Sequence, residues 1–227
     1  MPRKYALEFF EAKTPVTEFV TKFGGQPTWI QEPEWPLSKT TGELMRFIGQ
    51  IALDEKLFGS IGGEMAYLFM TDNPDVDGTW EAEGEENALI IQPGNNSTRI
   101  KAVTQGPSLF RMVKKLFRSR LVPEACEFGV RFIESEDLEW LEEKQRFALP
   151  DEQADTYLES LQGNKIGGTP GFLQGDEFPT GGPVPWKLLL QLDSTKVPFN
   201  VNFGDAGVGY AFISGDGVSG KFLWQCC

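Results

Sequence analysis

Two stretches of the chain, 143 residues apart, have nearly the same pattern. Residues 23–31 read FGGQPTWIQ, and residues 166–174 read IGGTPGFLQ. In both, a Gly-Gly-x-Pro sequence typical of a tight turn is followed by apolar residues and a closing glutamine. A similarity at this separation indicates an internal repeat, and a repeat constrains the whole architecture.

Further pairs of segments follow in the same order. They are FIGQI (47–51) with LLLQL (188–192), MAYLFM (65–70) with VGYAFI (208–213) and, more weakly, IIQ (90–92) with LWQ (223–225). These apolar runs, bounded by Gly, Pro, Asn or Asp, have the length of strands rather than helices. Each half therefore reads as a turn followed by three strands.

The repeat predicts an α+β fold. We expect a β-rich single domain, residues 1–227, built from two pseudo-symmetric repeats with a few short helices between and around them. The repeat halves are expected at about 20–95 and 163–227, with a connecting segment at 96–162. Because neither half has a complete core or a separate linker, the two should form one continuous unit.

The connecting segment contains a predicted basic helix near residues 109–121. Apolar residues there recur at three and four positions: Leu109, Met112, Val113, Leu116 and Phe117. Five cations accompany them: Arg111, Lys114, Lys115, Arg118 and Arg120. They predict either a cradle for a phosphate or acidic peptide, or a solvated face that pairs with the many carboxylates of the chain.

Three shorter helices are also predicted. Two segments have acidic first turns that suit a helix N-terminus: 135–141, where Ser135 is followed by Glu136 and Asp137, and 151–158, which begins with Asp151 and Glu152. Thr14 and Pro15 predict the cap and first turn of an N-terminal helix that reaches Lys22.

Composition excludes several classes of function. The 227 residues carry 33 acidic and 21 basic side chains, a net charge of -12, so the averaged surface field repels nucleic acid and anionic membranes. No histidine is present, which removes Ser-His-Asp and Cys-His catalysis and His-ligated zinc. We therefore expect a protein that is not an enzyme, needs no cofactor and has a cationic partner.

The first residues carry charges where a signal peptide needs an apolar core. No segment has the length of a membrane span. These features predict a cytoplasmic protein.

Residues 72–86, DNPDVDGTWEAEGEE, hold seven carboxylates and no Lys or Arg. We call this segment the acidic loop. As a predicted connection between strands it is either a solvated turn or a surface that binds a basic partner by electrostatic steering. The candidate partner-binding residues are Asp72, Asp75, Asp77, Glu81, Glu83, Glu85 and Glu86.

The start of the acidic loop, residues 73–78, also resembles the first half of a calcium-binding loop. Gly84 stands where a bidentate Glu should close such a site, and a strand rather than a helix leads in. No metal site is therefore predicted.

The glutamines that end the apolar runs recur as pairs: Gln31 and Gln174, Gln50 and Gln191, Gln92 and Gln225. Their amides are expected to brace backbone groups where strands diverge. The alternative is a ligand cleft between the two halves, used by a small-molecule-binding protein or an enzyme. The residues expected to line that cleft are Gln50, Gln191, Trp29, Trp186 and Asp205.

The same motifs resemble a known family. They are KFGGQP (22–27), FIGQI (47–51), YLF (67–69), LLLQLDS (188–194), FGDAG (203–207) and WQC (224–226). They are similar to the YwqG-like bacterial family, whose function is unknown and which has no agreed catalytic motif. Members occur beside polymorphic toxins, so the resemblance implies an immunity protein that neutralises a toxin, such as a basic nuclease, by direct binding.

Overall fold

A computed structural model describes residues 1–94, 105–115, 120–180 and 185–227. Its strands in the first part of the chain are β1 (Arg3–Glu11), β2 (Lys22–Gly24), β3 (Arg46–Ala52), β4 (Met65–Met70), β5 (Asn87–Gln92), β6 (Phe110–Lys114) and β7 (Leu121–Ala125). Those that follow are β8 (Glu127–Glu136), β9 (Lys165–Gly167), β10 (Lys187–Asp193), β11 (Val208–Ile213) and β12 (Gly220–Gln225). The helices are α1 (Glu55–Phe58), α2 (Glu143–Phe147) and α3 (Asp151–Ser160).

Ten strands form one antiparallel sheet in the order β12-β11-β10-β9-β1-β8-β2-β3-β4-β5. The long pair β1–β8 is at its centre, in register from Arg3 opposite Glu136 to Glu11 opposite Phe128. Four strands follow on each side of this pair. The edge strands β5 and β12 come into contact, so the sheet nearly closes on itself. Strand β12 approaches so closely that a Cβ on Gly220 would lie 2.5 Å from the Leu89 carbonyl oxygen.

The inside of the nearly closed sheet is a single hydrophobic core. Strands from both halves supply it, with Phe23 and Leu68 from one half and Leu190 and Phe222 from the other. This shared core makes the chain a β-rich single domain with few helices, as the sequence predicted at that level.

The outer face of the sheet carries two further apolar clusters. Along β4, alternate side chains point to the inner core, while Met65, Tyr67 and Phe69 pack outward against Trp29. The first loop, residues 25–36, covers this cluster. The second loop, residues 168–180, covers the corresponding cluster on β11. Burial on both faces explains why these strands read as uniform apolar runs instead of alternating ones.

The predicted basic helix at 109–121 is wrong. Its described residues form β6 and β7, a separate two-stranded ribbon, and residues 116–119 lie outside the described part. Pairing between Phe110 and Ala125, continuing to Lys114 and Leu121, gives these residues ladder hydrogen bonds that override their helical periodicity. Arg111 forms ion pairs with Glu11 and Glu124, which agrees with the solvated, carboxylate-paired interpretation.

Two other predicted helices are also wrong. Segment 135–141 starts inside β8, and the acidic side chain of Asp137 is buried in ion pairs with Lys4 and Lys165 instead of lying in the first turn of a helix. Residues 14–21 form no helix and Lys22 begins β2; the Val16 carbonyl accepts a hydrogen bond from Lys22 Nζ at 2.6 Å. The prediction at 151–158 is confirmed by α3.

Candidate functional site

The acidic loop joins β4 to β5, and its ends are tied together by a buried carboxylate. Glu86 accepts hydrogen bonds from the Thr71 hydroxyl at 2.7 Å and from the Thr40 amide at 2.7 Å. Burial opposes ionisation of this carboxyl group, but hydrogen bonds from Thr71, Ser38 and Thr40 outweigh burial and lower its pKa. Glu86 is therefore a structural anchor and is not part of the exposed surface predicted from the sequence.

The middle of the loop is fixed as well. The Asn87 amide donates to the carbonyl oxygens of Thr79 and Glu81, each at 3.0 Å. Trp80 packs edge-to-face on Trp224 of β12, with ring centroids 6.0 Å apart. These contacts tie the loop to β5 and, through Trp224, to β12 of the opposite half of the sheet.

The remaining carboxylates of the loop divide into two sets. Three of them form ion pairs: Asp72 with Arg46, Glu83 with Lys221, and Glu85 with Lys39. The other three, Asp75, Asp77 and Glu81, are exposed and have no ion-pair partner in the described part of the chain. Within that part, no three His, Cys, Asp or Glu side chains converge in a metal-binding arrangement.

A polar cavity of about 560 Å³ opens beside the acidic loop. Its lining comes from both halves of the chain and includes Asp72, Asp77, Trp80, Asn200, Asn202 and Trp224. Carboxylates, amides and two indole rings thus surround a space adjacent to the unpaired acids.

The cleft residues predicted from the sequence do not meet. Gln50 on β3 and Gln191 on β10 are fully buried, and four strands separate β3 from β10 in the sheet. Trp29 is buried in the outer cluster of β4, Trp186 packs at the edge of the cluster on β11, and Asp205 is exposed. A ligand cleft lined by these five side chains is therefore not formed.

Hydrogen bonds show what the first set of glutamines does. The side-chain oxygen of Gln50, Oε1, accepts a hydrogen bond from the main-chain N–H of Thr28 at 2.7 Å. The Tyr67 hydroxyl donates to the main-chain carbonyl of Thr28 at 2.9 Å. The side-chain Oε1 of Gln92 accepts a hydrogen bond from the main-chain N–H of Gln31 at 3.1 Å. Together these side chains bind the main chain of the first loop.

The second loop is held by residues at the corresponding positions. The side-chain Oε1 of Gln191 accepts a hydrogen bond from the main-chain N–H of Gly171 at 2.8 Å. The Tyr210 hydroxyl donates to the main-chain carbonyl of Gly171 at 2.8 Å. The side-chain Oε1 of Gln225 accepts a hydrogen bond from the main-chain N–H of Leu173 at 3.0 Å. These contacts give Gln50, Gln92, Gln191 and Gln225 the bracing role expected from the sequence. Gln31 and Gln174 instead contribute main-chain N–H groups that two of these side chains bind.

Comparison with protein families assigns most of the chain to one family. Residues 21–221 match the model of the family described as Domain of unknown function (DUF1963). The chain belongs to this family. The resemblance to YwqG-like sequences is consistent with that membership. A comparison with curated proteins finds no match. The matched region of the DUF1963 domain includes both braced loops and the acidic loop.

Two buried lysines of the DUF1963 domain went unnoticed as functional candidates in the sequence. Lys22 Nζ donates to the carbonyls of Val16 and Gln26 at 2.6 and 2.7 Å and to Glu127 at 2.8 Å. A signal was present, because a lysine directly precedes the apolar-Gly-Gly motif in both copies. The partner acid, contributed by a distant strand, had no local signal.

Lys165 is the second of these lysines. Its Nζ donates to the carbonyls of Leu161 and Thr169 at 2.7 and 2.6 Å and to Asp137 at 2.7 Å. Burial lowers the pKa of Lys165 to about 8, against the opposing effect of Asp137. Since all three of its donors are used by the fold, this ammonium group fixes the second loop.

Among the described residues, no helix is both long and apolar enough to cross a membrane.

Proposed function

We propose that this protein is a non-enzymatic binding protein that recognises a basic protein partner through the acidic loop. The observation that carries the proposal is the state of Asp75, Asp77 and Glu81, which are exposed and have no ion-pair partner among the described residues, on a loop that Glu86 and Asn87 hold in place. Fixed, uncompensated negative charge speeds encounter with a basic surface and loses little entropy on binding.

The cavity beside the loop supports the same interpretation. The carboxylate of Asp77 and the rings of Trp80 and Trp224 line it, beside the Asp72 carboxylate that is already paired with Arg46. A Lys or Arg side chain is attracted both by carboxylates and by the faces of indole rings. We infer that a cationic side chain of the partner enters this cavity.

In its narrower form, the proposal makes the partner a bacterial toxin and the protein its immunity protein. The family resemblance suggests this, and the net charge of -12 suits competition with nucleic acid for a basic nuclease surface. The absence of histidine supports a role in binding and not in catalysis.

To test the proposal, the tagged, full-length protein is used to capture binding partners from among the products of its neighbouring genes. The binding variant is Asp75→Asn, Asp77→Asn, Glu81→Gln, which removes three charges at nearly constant volume. A matched control, Glu136→Gln, Glu152→Gln, Glu159→Gln, removes three exposed charges elsewhere. We expect the wild type and the control to retain a basic partner that the loop variant loses. Recovery of no partner, or equal retention by both variants, would contradict the proposal.

We also infer that the two halves are pseudo-symmetric repeats that arose by duplication. The order of four strands outward from β1–β8 supports this, as does a shift of register at Phe47–Gly49 in β3 and at Leu188–Leu190 in β10. The paired glutamines and lysines add further support. Gln50 and Lys22 bind the first loop at positions that correspond, in the second loop, to those bound by Gln191 and Lys165.

A further inference from the structure

A second concave surface lies away from the acidic loop, between α2, α3 and residues 172–176. We call it the α2–α3 groove. Its cavity has a volume of about 510 Å³. Apolar side chains of Trp140, Leu158, Phe172 and Leu173 form its floor. A cavity of this size can hold an apolar side chain together with flanking main chain.

Helix α3 lines the groove with one face and is anchored to the domain through another. Positions 151, 154, 155 and 158 of α3, spaced as one helical face, line the groove. The other face buries Tyr157, whose hydroxyl donates to the Glu139 carbonyl at 2.9 Å and accepts from the Leu141 amide at 2.9 Å. At the rim, the Phe147 residue is 81% exposed, an unusual position for a large apolar side chain on a short helix.

Charge around the groove is strongly one-sided. Four carboxylates line it: Glu143, Asp151, Asp155 and Asp176. The cation that faces them is Arg146, and it is already occupied by an ion pair with Asp176, a hydrogen bond of 2.6 Å to the Leu141 carbonyl and the face of Trp140 at 4.8 Å. The first three carboxylates have no ion-pair partner among the described residues.

We propose that the α2–α3 groove is a docking site for a cationic peptide segment of a protein partner, in which one apolar side chain is flanked by Lys or Arg. The apolar side chain packs on Trp140, Leu158 and Phe147, and the cations pair with the carboxylates at the rim. An anionic segment is repelled by that rim, and a purely apolar segment leaves the carboxylates desolvated and unpaired. The groove shares no residue with the acidic loop, so this site does not depend on the function proposed above.

The probe for this site is the peptide Lys-Lys-Leu-Lys-Lys-amide with fluorescein coupled to its N-terminal amine, titrated with the full-length protein and followed by fluorescence polarisation at low salt. We expect saturable binding that weakens about tenfold or more when the leucine of the peptide is replaced by serine. Equal binding of the two peptides, or no saturable binding, overturns the proposal.

Substitutions in the protein locate the site. Asp155→Lys faces the groove, and Glu152→Lys makes the same change of charge on an exposed part of the same helix that does not line it. We expect Asp155→Lys and the surface variant Phe147→Ser each to lower affinity several-fold, with Glu152→Lys close to wild type. Equal losses for the two lysine variants would show nonspecific attraction and overturn the proposal.

The acidic-loop triple variant separates this proposal from the proposed function. It should bind the leucine peptide as the wild type does. Melting curves and far-UV circular dichroism of each variant report whether it is folded, and Phe147→Ser keeps the test valid even if a charge reversal unfolds α3.

Discussion

At the scale of single residues, the domain is held by side chains that bind main chain. Gln50 supplies one acceptor to the first loop and donates to the carbonyls of Glu18 and Val20, so its whole amide is used inside the protein. Gln191 does the same for the second loop, with donors to Leu161 and Gly163. Buried amides satisfied in this way specify where a loop sits, because the loop loses several hydrogen bonds if it moves.

Removal of either glutamine should destabilise the protein substantially. Gln50→Ala and Gln191→Ala each leave a buried amide and carbonyls unsatisfied, so we expect each to lower the free energy of unfolding by about 2–4 kcal/mol. Urea denaturation measures this, with the exposed Gln153→Ala as the control. Losses below about 0.5 kcal/mol would contradict the bracing role.

The tyrosines predict the behaviour of the protein at alkaline pH. Burial raises the pKa of all four: Tyr5, Tyr67, Tyr157 and Tyr210. Unfolded tyrosines ionise near about pH 10, so the stabilisation is present below that pH and is lost as pH rises above it. We expect tyrosinate absorbance to appear together with the loss of circular dichroism. Ionisation near pH 10 in a protein that is still folded would refute this.

At the scale of elements, the sequence predicted the strands that are buried on both faces and missed the ribbon. MAYLFM and VGYAFI are short, apolar and bounded by turn residues, which identifies β4 and β11 without further information. The β6–β7 ribbon carries apolar residues at helical spacing, and its true structure depends on pairing between strands, which no local pattern encodes.

The site was predictable to a similar extent. The acidic loop is visible as a charge run, but only the fold shows that Glu86 is its anchor and that Asp75, Asp77 and Glu81 form no ion pair with any residue that the structure describes. Glu127 is the first residue of β8 and the buried Asp137 directly follows its last residue, so their partnership with Lys22 and Lys165 depends on tertiary structure.

The loop carboxylates should therefore differ in their effects on stability. Neutralising Asp75, Asp77 and Glu81 together should change the free energy of unfolding by no more than about 0.5 kcal/mol, or increase it through reduced repulsion. Glu86→Gln should cost about 1–3 kcal/mol near neutral pH, because it weakens a buried hydrogen-bonded anchor.

The effect of Glu86→Gln should also depend on pH. The pKa of Glu86 is lower in the folded protein than in the unfolded chain, where it is about 4.3. Its contribution to the free energy of unfolding is therefore present above about pH 4.3 and is lost as the pH falls through the pKa of Glu86 in the folded protein. Thermal melts across acidic pH measure this. A cost that stays constant as the pH falls would contradict the anchoring role.

At the scale of the whole molecule, the shared core makes the two halves interdependent. Leu190 of β10 and Phe23 of β2 belong to one cluster inside the nearly closed sheet. A half on its own would expose the inner faces of its strands. Leu190→Ala should cost about 2–5 kcal/mol, and tryptophan fluorescence and circular dichroism should report one coincident unfolding transition. Two separate transitions would show that the halves fold independently.

The most direct test of the central claim is the association rate of the captured partner with the wild type, the acidic-loop triple variant and the matched control, measured by stopped flow over a range of salt. We predict that the loop variant associates about tenfold more slowly at low salt, and that its difference from the control disappears as salt screens the charges. Equal association rates for the two variants at low salt would contradict the role of the acidic loop in recognition.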